Sequence, residues 1–206
     1  MQRVLVRATA ALLMFMLCIA RASWRIDHAG IHKVNALLSD GEPTIVAFWH
    51  GHMVPLLALL RDQPAIVLSS SGFRGSVIAQ IATSLGHRSV QIEGGNGATA
   101  LSARLRTDSA PIAIAVDGPL GPYHRAKPGV VVLSALAEAR VLPIAANVRP
   151  AFRLWRWDRL IIPVPFAAVC LRVGRPMRFK KADLQTMDAA TTALSEKLCR
   201  LSDGRS

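Results

Sequence analysis

Apolar and polar positions alternate along this chain in blocks that fit short buried strands and amphipathic helices. Strand-like runs fall at Thr44 to Phe48, Ala65 to Ser69, Ser89 to Ile92, Pro111 to Val116, Leu142 to Val148 and Ala168 to Val173. Helical spacing separates most of them, over roughly 51 to 61, 75 to 86, 97 to 107 and 129 to 140, and a last amphipathic helix starts near 183. Gly86 stands where a helix C-cap is expected, and Pro128-Gly129 where a helix begins. Near-continuous apolar strands bounded by helices predict a mostly parallel sheet covered on both faces, a three-layer α/β fold. With 206 residues, 51% of them hydrophobic, one substantial core is expected, hence one domain.

The first 25 residues stand apart. Arg3 and Arg7 precede thirteen uncharged residues, Ala8 to Ala20, which Arg21 and Arg25 close. As a helix that core is roughly 20 Å long against a hydrocarbon slab of about 30 Å, too short for a simple span. Ala20-Arg21-Ala22 resembles a signal cleavage site, but an arginine inside it is awkward for cleavage. Trp24 beside Arg21 and Arg25 suits an interfacial anchor, so residues 1–25 are expected to form a membrane-associating helix and 26–206 the α/β domain. An ordinary buried helix is the other alternative.

Charge sharpens this picture. The formal net charge is +12 with a mean hydropathy of +0.33, a combination that favours an anionic membrane surface as partner. Arg149 to Lys181 holds nine basic residues against the single acid Asp158, a local balance of +8, with Phe152, Trp155, Trp157 and Phe166 interleaved. Rings that enter headgroups beside arginines that bind phosphates fit such a surface. The same pattern can stack single-stranded nucleic acid, but the apolar leader has no role there, and nucleic acid is not expected as a partner. Cys18, Cys170 and Cys199 form neither a disulfide framework nor a zinc pattern.

Two strand ends carry the candidate chemistry. One run ends in Trp49-His50-Gly51-His52, another in Asp117-Gly118-Pro119-Leu120-Gly121-Pro122. Carboxyl ends of parallel strands share one edge, so a base and a carboxylate are expected to meet there. A histidine exposed at such an edge titrates near neutrality and can take a proton from an attacking alcohol. His50 and His52 as a metal pair lack a third ligand at suitable spacing, and no metal is expected. Ser69-Ser70-Ser71-Gly72-Phe73-Arg74-Gly75 and Gly94-Gly95-Asn96-Gly97 sit between strand and helix, where backbone N–H groups cradle anions. Neither completes a P-loop, and no G-x-S-x-G elbow is present.

Taken in order, Phe48-Trp49-His50-Gly51, the Ser-rich turn, Gly94-Gly95, Val116 to Pro122, Lys127-Pro128-Gly129-Val130, Leu142-Pro143-Ile144, Trp157-Asp158-Arg159, Ile162 to Phe166 and Gly174-Arg175-Pro176 resemble the lysophospholipid acyltransferase superfamily. The likeness covers about residues 30 to 180 and is closest to a bacterial branch long described only as a domain of unknown function. It implies a glycerolipid acyltransferase-like α/β domain. The implied reaction moves a fatty acyl group from acyl carrier protein or acyl-CoA to a hydroxyl of a lysophospholipid or related lipid, with no bound cofactor. His50 is then the general base, with Asp117 as a second catalytic residue.

The resemblance also implies substrate contacts at Trp49, at Ser70, Arg74 and Gly75 (whose turn offers oxyanion donors), and at Glu93. Gly118, Pro119, Arg125 and Lys127 would shape the acceptor pocket. The implied location is the cytoplasmic face of a bacterial inner membrane, peripheral or monotopic. A non-catalytic lipid- or acyl-carrier-binding member of the same fold is the alternative. Where the superfamily places an aspartate five residues after the histidine, this chain has Pro55, so the motif names no partner for His50. Arg74-Gly75 and Glu93-Gly94-Gly95 exchange the charges usual for the branch, which predicts a salt bridge of reversed polarity between Arg74 and Glu93.

Overall fold

The computed structural model describes residues 2–91, 97–108 and 110–204. Its elements, in chain order, are α1 (Gln2–Ala22), β1 (Arg25–Asp27), α2 (Ala29–Leu38), β2 (Thr44–Phe48), α3 (Met53–Leu59), β3 (Ile66–Ser69), α4 (Phe73–Ser84), β4 (Arg88–Gln91), α5 (Gly97–Thr107), β5 (Ile112–Ala115), α6 (Gly129–Ala137), β6 (Arg140–Arg153), β7 (Ile161–Val173), β8 (Met177–Arg178) and α7 (Met187–Ser202). They form an eight-stranded mixed sheet in the order β1-β7-β6-β2-β5-β3-β4, with β8 against β6. The run β6-β2-β5-β3-β4 is parallel throughout. β7 runs antiparallel to β6, and β1 lies parallel to β7.

The central strand shows why the pattern was readable. All five residues of β2 are buried, with Ile45 and Ala47 in one core and Val46 and Phe48 in the other. Burial on both faces demands an unbroken apolar run. The first core is roofed by α5, α6 and α7 through Leu105, Leu133 and Leu194, the second by α2 and α3 through Val34, Leu56 and Leu59. A third cluster packs α1 and α4 against β3, through Ala10, Val77, Ile81 and Val67. The α/β expectation with helices on both faces therefore holds.

Helix boundaries follow local chemistry. The N–H of Gly86 bonds the Thr83 carbonyl and that of His87 the Ala82 carbonyl, closing α4 as a glycine C-cap does. α6 stops earlier than its periodicity suggests, because Glu138 takes a left-handed φ of 53° and sends the chain directly into β6. The strands β1 and β8 were not anticipated, since three- and two-residue strands leave almost no periodic trace, and the ten-residue α2 falls in a stretch assigned no element.

Two larger departures matter more. α1 reaches beyond its uncharged core at both ends, giving 21 residues, so its roughly 31 Å suffices by length and composition to cross a bilayer. One stripe, including Val6, Ala10, Met14 and Leu17, packs against the domain, while Leu5, Leu12, Phe15 and Ile19 face outward. The second departure is the β6–β7 hairpin. The segment between Val148 and Ala168 continues both strands, with a register shift between Arg149 and Ala151. β6 is parallel to β2 and pairs with it only as far as Pro143. About ten further residues carry it past the carboxyl end of β2, and the turn at 154–160 lies beyond.

Candidate functional site

β2 and β5 are adjacent parallel strands, so their carboxyl ends meet. The Val116 N–H donates to the Phe48 carbonyl at 2.9 Å, bringing Asp117 alongside His50. The contact is with the main chain, since the His50 N–H donates to Asp117 Oδ1 at 2.8 Å. Asp117 is buried, and its Oδ2 has no hydrogen-bond partner among the described residues. Desolvation raises its pKa above 3.8, against the opposing pull of the His50 N–H. Asp117 thus meets His50 at the expected sheet edge, with its hydrogen bond going to the His50 backbone and not to the imidazole.

The imidazole's partner comes from the hairpin. His50 Nδ1 lies 2.9 Å from Asp158 Oδ2, the His50 side chain being 22% exposed and the Asp158 side chain buried. Arg156 Nε stands 3.5 Å from the other oxygen of Asp158. With the carboxylate ionised, Nδ1–H donates to it and Nε2 is left as the basic nitrogen. Gly51 permits this approach: a Cβ there would lie 2.2 Å from the Asp158 carbonyl oxygen. The Trp157 ring leans against the imidazole, with centroids 5.4 Å apart.

A stack of rings joins the two halves. The guanidinium of Arg159 lies 5.0 Å over the Tyr123 ring, Tyr123 stacks on His124 at 3.7 Å, and His124 on Trp49 at 4.8 Å. It runs from the residue after Asp158 to the residue before His50. Burial lowers the His124 pKa to about 4, so the middle of the stack is uncharged at neutral pH. Trp49 is buried in the α5–α7 core, which corrects its expected contact with substrate.

Other candidates separate. His52 is buried and turned away: its Nδ1 accepts the Ala146 N–H at 3.2 Å, and its Nε2 faces Ser202 Oγ at 3.5 Å. Burial brings its pKa to about 4. It shares no site with His50, which corrects the metal-pair alternative. Ser70, Arg74 and Gly75 follow β3, which β5 separates from β2, a lateral offset of roughly 10 Å. Ser70 and Arg74 are exposed, while a Cβ on Gly75 would lie 1.8 Å from the Ser70 carbonyl oxygen. That glycine is accounted for by the tight turn, and the offset counts against oxyanion donors there.

Glu93, with Gly94 and Gly95, lies outside the described residues, and so does any bridge from it to Arg74. Gly118 is brought beside Asp117 with the Lys127 side chain over it; Lys127 is anchored by its N–H to the Val116 carbonyl at 2.8 Å. Pro119 and Arg125 are exposed nearby in sequence.

Asp158 is the functional residue to which the sequence motifs assign no role. The signal was present, as it is the single acid in the basic stretch 149 to 181.

Beneath α3 lies a small, partly open apolar pocket, lined from Phe48 and Met53, which flank the His50 segment, to Gln63 and His87. Among the described residues, no group of three or more His, Cys, Asp or Glu is gathered as a metal site. No family model matches the chain. An uncharacterized protein of Rickettsia prowazekii (strain Madrid E) is 34% identical over 71 residues, and the match spans about a third of each chain, 34% of this one and 33% of that one.

Proposed function

We propose that this protein is a membrane-associated O-acyltransferase of the lysophospholipid acyltransferase type. The observation that carries this is the His50–Asp158 pair at the carboxyl edge of the parallel strands, with Nε2 of a part-exposed imidazole left available. The acceptor's hydroxyl gives its proton to Nε2 as its oxygen attacks the thioester carbonyl carbon. The carbon–sulfur bond then breaks, and the departing thiolate takes the proton back from the imidazolium. Asp158 holds the ring and stabilises its charged form; Asp117 fixes the backbone that presents it. Lys127, Arg125 and the hairpin arginines supply cations for the acceptor's phosphate.

The donor is a fatty acyl thioester of acyl carrier protein or coenzyme A, the acceptor a lysophospholipid or related lipid, and no resident cofactor enters the scheme. The apolar pocket flanked by Phe48 and Met53 offers an acyl chain an apolar lining beside the His50 segment. The outward face of α1 supports attachment to a membrane, and the location that goes with the acyl-transfer reading is the cytoplasmic face of a bacterial inner membrane.

The test is a transfer assay with both thioester donors and several lysolipid acceptors, comparing the wild-type chain with His50→Ala. Transfer that disappears in the variant is the expected result. Retained lipid binding without transfer from any donor by the wild-type chain would replace this reading with a non-catalytic lipid-binding role.

A further inference from the structure

We propose that the tip of the β6–β7 hairpin docks onto an anionic bilayer and that this contact holds Asp158 against His50. The surface is built for such a partner. At the turn Trp155 is fully exposed, with Phe152 58% exposed before it and Phe166 73% exposed on the returning strand. Large rings held in water are unfavourable unless something covers them. Arg149, Arg153, Arg156 and Arg159 are exposed on the same segment, and Asp158, the only acid between 149 and 181, is buried against His50. The face therefore presents cations and rings without an exposed carboxylate from its own segment, the chemistry that binds lipid phosphates while aromatic rings settle at headgroup level.

Position adds to composition. The Phe166 N–H donates to Ser23 Oγ at 3.0 Å, so the aromatic bulge of β7 sits at the end of α1, whose outward face is apolar. An acidic protein partner would use the arginines alone, whereas Trp155, Phe152 and Phe166 need a medium that accepts rings. The coupling follows from covalent connection. Asp158 lies three residues from Trp155, in a turn where Arg159 takes a left-handed φ of 46°. That turn is tied to the domain by the dyad, by Arg159 over Tyr123 and by the Ile161-Arg153 pairing behind it. Anchoring its outer side in lipid restricts the motions that would withdraw Asp158. This second half rests on the acyl-transfer reading for its chemical consequence, but the docking is measured without turnover.

The experiment uses the full chain with vesicles of phosphatidylcholine and phosphatidylglycerol in equal parts, brominated near the top of the acyl chains, and with pure phosphatidylcholine as control. Trp24 and Trp49 are buried and Trp157 is half-buried against the His50 ring, whereas Trp155 is fully exposed, so the lipid-quenched emission should belong mainly to Trp155. Trp155→Phe is expected to remove most of the quenching. Arg149→Glu with Arg153→Glu should raise the anionic lipid needed for half-maximal quenching by roughly thirtyfold or more. Amide exchange over 154–160 should slow several-fold on the anionic vesicles.

Quenching that survives Trp155→Phe unchanged would overturn the docking, and unchanged exchange at the turn would overturn the coupling. Binding of an acidic carrier protein to these arginines, with Trp155 never quenched, would reassign the face to a protein. Quenching as expected in a protein without transfer activity would leave the docking standing and remove only the enzymatic reading.

Discussion

The two ends of the sheet treat buried charge in opposite ways. At the amino end of β2, Arg140 is buried and all its nitrogens are engaged. Nε donates to Thr44 Oγ1 at 2.8 Å, one terminal nitrogen reaches Asp40 at 2.7 Å and Glu42 at 3.2 Å, and the other reaches Asp40 and the Leu37 carbonyl. At the carboxyl end, Asp117 Oδ2 is buried without a hydrogen-bond partner among the described residues, Asp158 Oδ1 has only the Arg156 ion pair at 3.5 Å, and His124 and Arg159 hold left-handed backbone. The saturated network closes the chain ends of α2, β2 and β6. The unsaturated one leaves capacity for a proton and a substrate, at an energetic cost that the rest of the fold must cover.

The largest expected difference between the ends is in turnover. Asp158→Asn should lower the transfer rate by about 10³ to 10⁴-fold, because an uncharged amide cannot balance the imidazolium and can donate its NH2 to Nδ1, which favours the wrong tautomer. Its melting temperature should stay near the wild-type value, so a collapse of the fold in Asp158→Asn would make the dyad structural. Arg140→Met should do the reverse, lowering stability in denaturant unfolding because Thr44 Oγ1 and the Leu37 carbonyl lose their buried donor, with the residual folded protein keeping its specific activity.

Smaller changes probe how tightly the upper end is set. Gly51→Ala should push the Asp158 backbone away and reduce the rate by roughly 10² through displacement alone, with KM nearly constant, since the methyl meets main chain. The pH dependence of stability offers two further contrasts. His52 and His124 have pKa values near 4 when folded, below the unfolded value of 6.5. Stability should therefore be complete above 6.5 and fall as pH drops towards 4, and His52→Gln should flatten that fall in acid unfolding curves. Asp117 works with the opposite sign: its raised folded pKa means that stability declines as pH climbs from 3.8 through the raised value. Asp117→Asn keeps an acceptor for the His50 N–H and should erase this decline, the smallest effect of the series.

Legibility in the sequence followed the same division. β2, β3 and β5 were recoverable to within a residue or so because strands buried on both faces must be apolar throughout. His50 and Asp117 were findable because each ends such a run. The hairpin was read as two short strands with a basic stretch between, since Pro150, Pro163, Pro165 and the arginines break alternation where β6 and β7 leave the core. Its partner carboxylate was hidden for the same reason, 108 residues from His50 along the chain.

Amino-acid order alone thus determined the layered α/β class, the apolar N-terminal helix, the basic aromatic segment and the strand end that carries His50. Only the folded chain decided which carboxylate faces the imidazole. Periodicity reports how a residue is buried by its own element, whereas the Asp158 contact depends on β6 running parallel to β2 and outlasting it. That choice is made by pairing between strands distant in sequence, and a local pattern carries no record of it.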